Sequence, residues 1–246
     1  MPVFFISSDQ VSNDTVTITG PLLEHLRASL RVTPGERIRV GDDQRRRYDI
    51  EVTDLDRRAL RGRIVGRQTG PAPRTPRLVL GQAILKGERM DWTIQKATEL
   101  GAHAIVPLIS EQTIVRPKRD RADAQQERWQ RMALEAAQQS ERWDIPSVSA
   151  PVNVREFVAG QTRSELKLML AERSGDRSLA AMPLPSSPTD TITLMIGPEG
   201  GWREEELADA AAHGFEPVTL GARILRAETA ALAAISVLQG RMGELG

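Results

Sequence analysis

The sequence contains no cysteine, only three histidines and one tyrosine, and no apolar run long enough to cross a membrane. Without a thiol, disulfides, thiolate nucleophiles and cysteine-ligated zinc are excluded together. His25, His103 and His213 lie far apart in the sequence, so no histidine-based metal site is expected. The opening MPVFFISSDQ lacks a basic lead, and its apolar run is too short for a secretory signal. A soluble, cytoplasmic protein is therefore expected. An excess of one charge is missing as well, since 33 basic residues balance 33 acidic ones. What is present is a chain of 246 residues, 40% hydrophobic, long enough for one large domain or two modest ones with a packed core.

The neutral total hides an asymmetry. Residues 1–77 carry 14 arginines and no lysine against 10 acids, a net +4, which leaves 19 basic and 23 acidic residues, a net −4, for the remainder. A basic N-terminal module on an acidic body fits an anionic partner, and fits equally a small β surface decorated with arginine.

Residues 1–70 contain short alternating segments (VFFI, TVTIT, RIRVGD, RRYDIEVTDL, LRGRIV) punctuated by Gly and Asp, which predicts a small β-barrel. PLLEHLRASLRV between them predicts one helix, with Leu22, Leu23, Leu26 and Leu30 on a face. GPAPRTP holds three prolines in seven residues and predicts a stiff linker over 71–76. From 77 to 246 the pattern changes. Apolar strands (RLVLGQAI, HAIVPLI, ELKLMLA, TITLMI, PVTL) alternate with helical segments (ERMDWTIQKATELG, DRADAQQERWQRMALEAAQQSER, REEELADAAAHG, AETAALAAISVLQGRM). That alternation predicts an α/β domain with a parallel sheet covered on both faces.

Ligands of open α/β sheets sit beyond the carboxyl ends of the strands. Two such exits are rich in glycine. IGPEGGW follows TITLMI, and LGARILRAETA follows PVTL. Gly197, Gly200 and Gly201 allow close backbone approach to a ligand, and Pro198 sets the turn. The spacing matches neither the dinucleotide fingerprint nor the P-loop. Glu204, Glu205 and Glu206 occupy the first turn of the following helix, where an anion would be repelled. Acids there are also ordinary partners of the helix dipole. Together with the missing fingerprints they favour a phosphate-free, positively charged cofactor such as the sulfonium S-adenosylmethionine. Around Gly221, the charged Arg223, Arg226 and Glu228 flank Ile224 and Leu225, so the two exits suggest two walls of one pocket. A plain strand-to-helix turn and a surface ion-pair cluster are the simpler alternatives.

Four separated segments, IQKATELGAHAIVPLISE, ERWQRMALEAAQQSER, IGPEGGW and LGARILRAETA, resemble in order the motifs of the RsmE-type 16S ribosomal RNA uridine-N3 methyltransferases of the SPOUT class. HLRASLRVTPGERIRVGD resembles the same family's PUA-like RNA-binding barrel. The resemblance implies a C-terminal SPOUT-type parallel sheet with a deep trefoil knot, S-adenosylmethionine as methyl donor, and a homodimer with each active site near the subunit interface. It also implies a substrate uridine in 16S ribosomal RNA of the small subunit. Matched by position, the cofactor loops fall at Leu170, Ala171 and Glu172, at Ile196 to Gly201, and at Leu220 to Leu225. Two departures from the family pattern stand out: Gln112 where Arg is usual and Gln138 where an acid is usual.

Methylating a pyrimidine at carbon 5 commonly needs a thiolate, which this chain lacks. Methylating N3 needs a proton removed and the resulting charge on the uracil oxygens stabilised. Arg226 is the candidate for that stabilisation, with Glu228 orienting it. Glu199 is a candidate proton acceptor, or else a turn acid binding nearby N–H groups. RNA contact is expected from Arg27 and Arg31, from Arg45, Arg46 and Arg47, which equally suit a solvated hairpin tip, and from Lys86 and Arg89. Trp92, Trp129 and Trp143 are expected in core or dimer packing. Two other readings stay open. One is a different SPOUT enzyme, acting on transfer RNA or on a ribose 2′-hydroxyl. The other is a ribosome-assembly factor that binds RNA without turnover.

Overall fold

The computed structural model describes residues 3–117, 121–171 and 177–245. In chain order the elements are β1 (Val3–Phe5), β2 (Val11–Ser12), β3 (Thr15–Ile18), α1 (Pro21–Glu24), β4 (Arg37–Gly41), β5 (Arg46–Leu55), β6 (Leu60–Thr69), β7 (Arg77–Ala83), α2 (Arg89–Glu99) and β8 (Ala104–Ile109). There follow α3 (Ala122–Gln139), β9 (Ser147–Val148), β10 (Val152–Asn153), α4 (Val154–Gly160), β11 (Leu166–Leu170), β12 (Arg177–Ser178), β13 (Thr191–Ile196), α5 (Glu204–Ala212), β14 (Glu216–Thr219) and α6 (Ala227–Met242). The chain divides into two compact units, one of residues 1–72 with 137–144, the other of 73–136 with 145–246.

The smaller unit is built on a six-stranded mixed sheet, ordered β1-β4-β5-β6-β3-β2. β1 runs parallel to β4 and the other pairs are antiparallel. Alternation along the strands buries Val16, Ile18, Val40, Ile50, Val52 and Leu60, against which Leu23 and Leu26 pack. The single helix expected over PLLEHLRASLRV does not form. α1 lasts four residues, and the chain then widens into a π-type turn over His25–Ser29. Arg31 adopts a left-handed φ of 54°, and the Val32 N–H closes back on the Leu26 carbonyl at 3.0 Å. That reversal returns Val32 to the core and leaves Leu30 exposed at 47%, so the leucine spacing overstated the α-helix by eight residues, about two turns.

The larger unit carries an all-parallel sheet ordered β10-β8-β7-β13-β11-β14-β12, with β9 also pairing to β8. Its central strands are apolar on both faces because helices cover both. Leu80, Leu168 and Leu194 pack on one side with Ile94 of α2 and Ile235 and Leu238 of α6. The alternate residues Met169 and Met195 pack on the other side with Phe157 of α4 and Ala210 of α5. The Ala-rich first half of α6 buries Ala230, Ala231 and Ala234 without bulk, so this helix can approach the sheet closely. The parallel α/β architecture expected from the strand–helix alternation is therefore present. α4, seven residues long, had no counterpart in the sequence expectation. No helix among the described residues is long and apolar enough to cross a membrane, and those residues hold no cluster of His, Asp and Glu suited to a metal ion.

Candidate active site

The neighbouring strands β13, β11 and β14 all end on the same side of the sheet, and the segments leaving them wall one cavity of about 690 Å³. The first wall is Leu170 and Ala171. The second is the run Ile196, Gly197, Pro198, Glu199, Gly200, Gly201 and Trp202. The third is Ile224 to Ala227, with Ala230 on α6 beneath it. A smaller cleft, lined by Thr219, Leu220, Gly221 and Arg223, adjoins it through the shared Leu170, Leu225 and Ala230. Most of the expected cofactor residues are thus brought together around one space. Glu172 lies outside the described residues.

Local chemistry explains the shape of the walls. Gly201 (φ 74°) and Gly221 (φ 112°) sit in left-handed backbone, where a side chain would be strained. The Gly201 N–H bonds the Pro198 carbonyl at 2.9 Å, closing the turn. Trp202 packs against it. Its indole Nε1 donates to the Leu170 carbonyl at 3.0 Å, and a Cβ placed on Gly197 would stand 3.2 Å from its ring. One aromatic therefore ties the first wall to the second. The departure residue Gln112 packs on this turn too, since a Cβ on Gly200 would lie 3.2 Å from the Gln112 Cβ. Gln138 belongs to the smaller unit.

The acids opening α5 do not face the cavity. Glu206 is buried; one carboxylate oxygen accepts the Arg203 N–H at 3.0 Å as a capping box and the other accepts the Glu111 N–H at 3.0 Å. Glu204 and Glu205 are exposed and do not line this cavity. The charge argument from these acids therefore fails. The charged groups that do line the cavity are Arg89, Glu199 and Arg226.

Glu199 is not a free carboxylate. Its Oε1 accepts the Lys86 backbone N–H at 3.2 Å and the Arg89 Nη1 at 3.2 Å, which favours its reading as a turn acid over that of proton acceptor. No ion pair joins Glu228 to Arg226 among the described residues. The ion-pair partner of Glu228 is Arg89, whose Nε lies 3.8 Å from Glu228 Oε1. Arg226 is exposed at the N-cap of α6 and has no side-chain partner among the described residues. It is left as the uncommitted cation of the cavity.

The other arginine candidates divide. Arg27 pairs with Glu24 at 2.8 Å, whereas Arg31 is exposed. Arg46 is exposed; Arg45 reaches Asp144 at 3.5 Å and the Pro71 carbonyl at 3.1 Å. Arg47 is buried, stacked 3.6 Å from the Trp143 ring centroid and bonded to the Glu141 carbonyl. Burial pushes its pKa down from the ordinary guanidinium value, an effect that the Glu141 charge opposes. Arg45 and Arg47 thus hold the smaller unit together, and Trp143 is a stacking partner rather than an apolar core residue. Trp129 is core, while Trp92 is 43% exposed. Sequence reasoning passed over Trp202, although an aromatic directly after a Gly pair was the available signal.

Residues 73–239 match the RNA methyltransferase domain family, the class that this sheet and its three-walled cavity define. Over 239 residues the chain is 37% identical to the ribosomal RNA small subunit methyltransferase E of Synechocystis sp., covering 95% of this chain and 76% of that protein. The crystal structure of the ribosomal RNA small subunit methyltransferase E of Neisseria gonorrhoeae, bound to S-adenosyl methionine, superimposes with a TM-score of 0.85 at 35% identity and 98% coverage of both chains. A Legionella pneumophila protein solved with the cofactor SAM superimposes with a TM-score of 0.87 at 29% identity and 97% coverage of both. The chain belongs to the ribosomal RNA small subunit methyltransferase E family.

Proposed function

We propose that this chain transfers a methyl group from S-adenosylmethionine to N3 of one uridine in the 16S ribosomal RNA of the small subunit. It acts in the cytoplasm as a homodimer whose C-terminal unit is a knotted SPOUT domain and whose N-terminal unit is a PUA-like RNA-binding module. One observation carries this reading: a single cavity lies at the carboxyl ends of three adjacent parallel strands, in a chain whose relatives were solved with this cofactor at 97–98% coverage. Its residues fit such a ligand. Leu170, Ile196, Leu225 and Ala230 offer apolar wall, the Gly197–Gly201 turn offers bare backbone, and no phosphate-cradling loop is present among the lining residues. The exposed Ile114 (63%) and Val115 (46%) give apolar surface that a second copy would cover.

When bound, the sulfonium cofactor supplies an activated methyl group and its leaving group. The chain supplies alignment and charge. The N3 proton passes to solvent water; its loss spreads negative charge over the two uracil oxygens, and Arg226, cationic and uncommitted at the cavity, stabilises that charge. Glu199 and Glu228, both engaged by Arg89, act on the walls rather than on the proton.

Labelled S-adenosylmethionine incubated with small subunits, followed by nucleoside mass spectrometry, tests this. N3-methyluridine is the expected product. A 2′-O-methyl nucleoside, or a methylated transfer RNA instead, would overturn the specificity. Arg226→Ala is expected to keep cofactor affinity within a few fold and to slow transfer by about 10²–10³, the usual loss when one oxyanion donor is removed. Normal turnover in that variant ends the role given to Arg226.

A further inference from the structure

Three charged side chains from three elements converge at the rim of the cavity. Glu199 belongs to the turn after β13, Glu228 to the first turn of α6, and Arg89 is the first residue of α2. The Arg89 guanidinium lies between the two acids, with Nη1 3.2 Å from Glu199 and Nε 3.8 Å from Glu228. Glu228 is 13% exposed, and its Oε2 is buried with no hydrogen-bond partner among the described residues. The acids are buried more deeply than the arginine, which is 43% exposed. Remove the arginine, and the two carboxylates lose the cation that joins them.

We propose that Arg89 is a positioning residue that clamps the Gly-rich turn to the N-terminus of α6, sets the width of the cavity, and holds Arg226 at its edge. This inference rests on the methyltransferase reading of the cavity, and it removes Arg89 from the RNA contacts expected from the sequence. The Arg89 guanidinium already faces two carboxylates, so it has little attraction left to offer an RNA phosphate arriving at this rim. Arg89 fits the clamp for a chemical reason: its planar fork presents several donors at fixed angles, which the single ammonium of lysine cannot. Arg226 is the N-cap of α6 and Glu228 lies in its first turn, so holding Glu228 holds the backbone that carries Arg226.

The test compares Arg89→Gln, Arg89→Lys, Glu228→Gln and the Arg89→Gln/Glu228→Gln double variant. Cofactor affinity is read by calorimetry, kcat and KM on small subunits by methyl transfer, and RNA binding across a salt series. Expected for Arg89→Gln is a fall in kcat of about tenfold to a hundredfold, the scale of a small misalignment of reacting groups. Its RNA KM stays within about twofold and its salt slope is unchanged. Arg89→Lys recovers part of kcat. The double variant is no worse than Arg89→Gln alone, as for residues acting as one unit. A large rise in RNA KM with a salt slope lowered by about one overturns the clamp in favour of a phosphate contact. So does a double variant whose losses simply multiply. The same double-mutant cycle run on urea unfolding without cofactor or RNA reads the clamp independently. If the unaltered protein neither binds S-adenosylmethionine nor transfers methyl, the functional reading fails while coupling in the unfolding cycle still stands or falls by itself.

Discussion

Trp202 shows how much of the site depends on single side chains. Its indole N–H satisfies the Leu170 carbonyl at the end of β11 at 3.0 Å, while its ring fills the notch that Gly197 leaves open. Trp202→Phe keeps an aromatic ring on the glycine but removes the donor. One hydrogen bond is worth about 1 kcal/mol, so thermal unfolding is expected a few degrees lower. Cofactor affinity is expected to weaken by about tenfold, the equivalent of about 1.4 kcal/mol, because two walls lose their tie. Calorimetric titration with S-adenosylmethionine checks this, and an unchanged affinity would limit Trp202 to folding. At this scale the sequence was half legible. Gly201 and Gly221 were readable because a strand exit that needs left-handed backbone leaves glycine as its mark. The partners of Glu199 were not, since Lys86 and Arg89 lie 113 and 110 residues away in the chain. Nothing in local composition announces a pairing that only the sheet order creates.

Elements were more legible than contacts, and the exceptions have local causes. α2, α5 and α6 run for nine residues or more and were expected close to where they lie. α1 was overestimated because its leucine spacing continues through residues that the backbone uses for a π-type turn and a left-handed reversal. α4 was missed because seven residues hold too little periodicity to count. The turn joining β5 to β6 offers a test at this scale. The Asp56 N–H bonds the Ala59 carbonyl at 3.0 Å, and Asp56 Oδ1 accepts the N–H groups of Arg58 (2.6 Å) and Ala59 (2.9 Å). These backbone donors, Arg58 first, hold the Asp56 carboxyl below its ordinary pKa. A group with a depressed folded pKa contributes stability that is present above its unfolded value, about 3.9, and is lost as pH falls through the folded value. Asp56→Asn keeps an acceptor without the charge. The variant is therefore expected to be less stable than the parent at neutral pH, with the gap closing below about pH 4. Urea unfolding across pH 7 to 2.5 measures it, and a gap that ignores pH would refute the charge-based account of the turn.

At the scale of the whole molecule, a neutral total conceals an arginine-rich N-terminal segment, and the fate of those arginines decides how the unit can meet RNA. Cross-strand register neutralises many of them. Arg39 stands opposite Asp49 and pairs at 2.7 Å, Arg63 stands opposite Glu51 and pairs at 3.0 Å, and Arg61 stands opposite Asp54 and pairs at 2.7 Å. Arg67 meets Asp14 at 2.7 Å, and Arg47 is buried against Trp143. The net +4 of residues 1–77 is thus not a continuous basic face, and a count of arginines overstated the electrostatic footprint. Among the arginine candidates of this unit, the exposed Arg31 and Arg46 are the ones available to phosphates. Arg31→Ala and Arg46→Ala are each expected to lower the slope of log affinity against log salt by about 0.7–0.9, with stability nearly unchanged. Arg47→Ala is expected to do the reverse, leaving the slope alone while destabilising the unit, because it strips the cation from the Trp143 face and the donor from the Glu141 carbonyl. Fluorescence anisotropy of a 16S fragment between 50 and 300 mM salt, run beside urea unfolding of each variant, separates the two behaviours. If Arg47→Ala lowers the slope as Arg31→Ala does, then burial has not withdrawn that arginine from the RNA, and the division between holding and binding arginines is wrong.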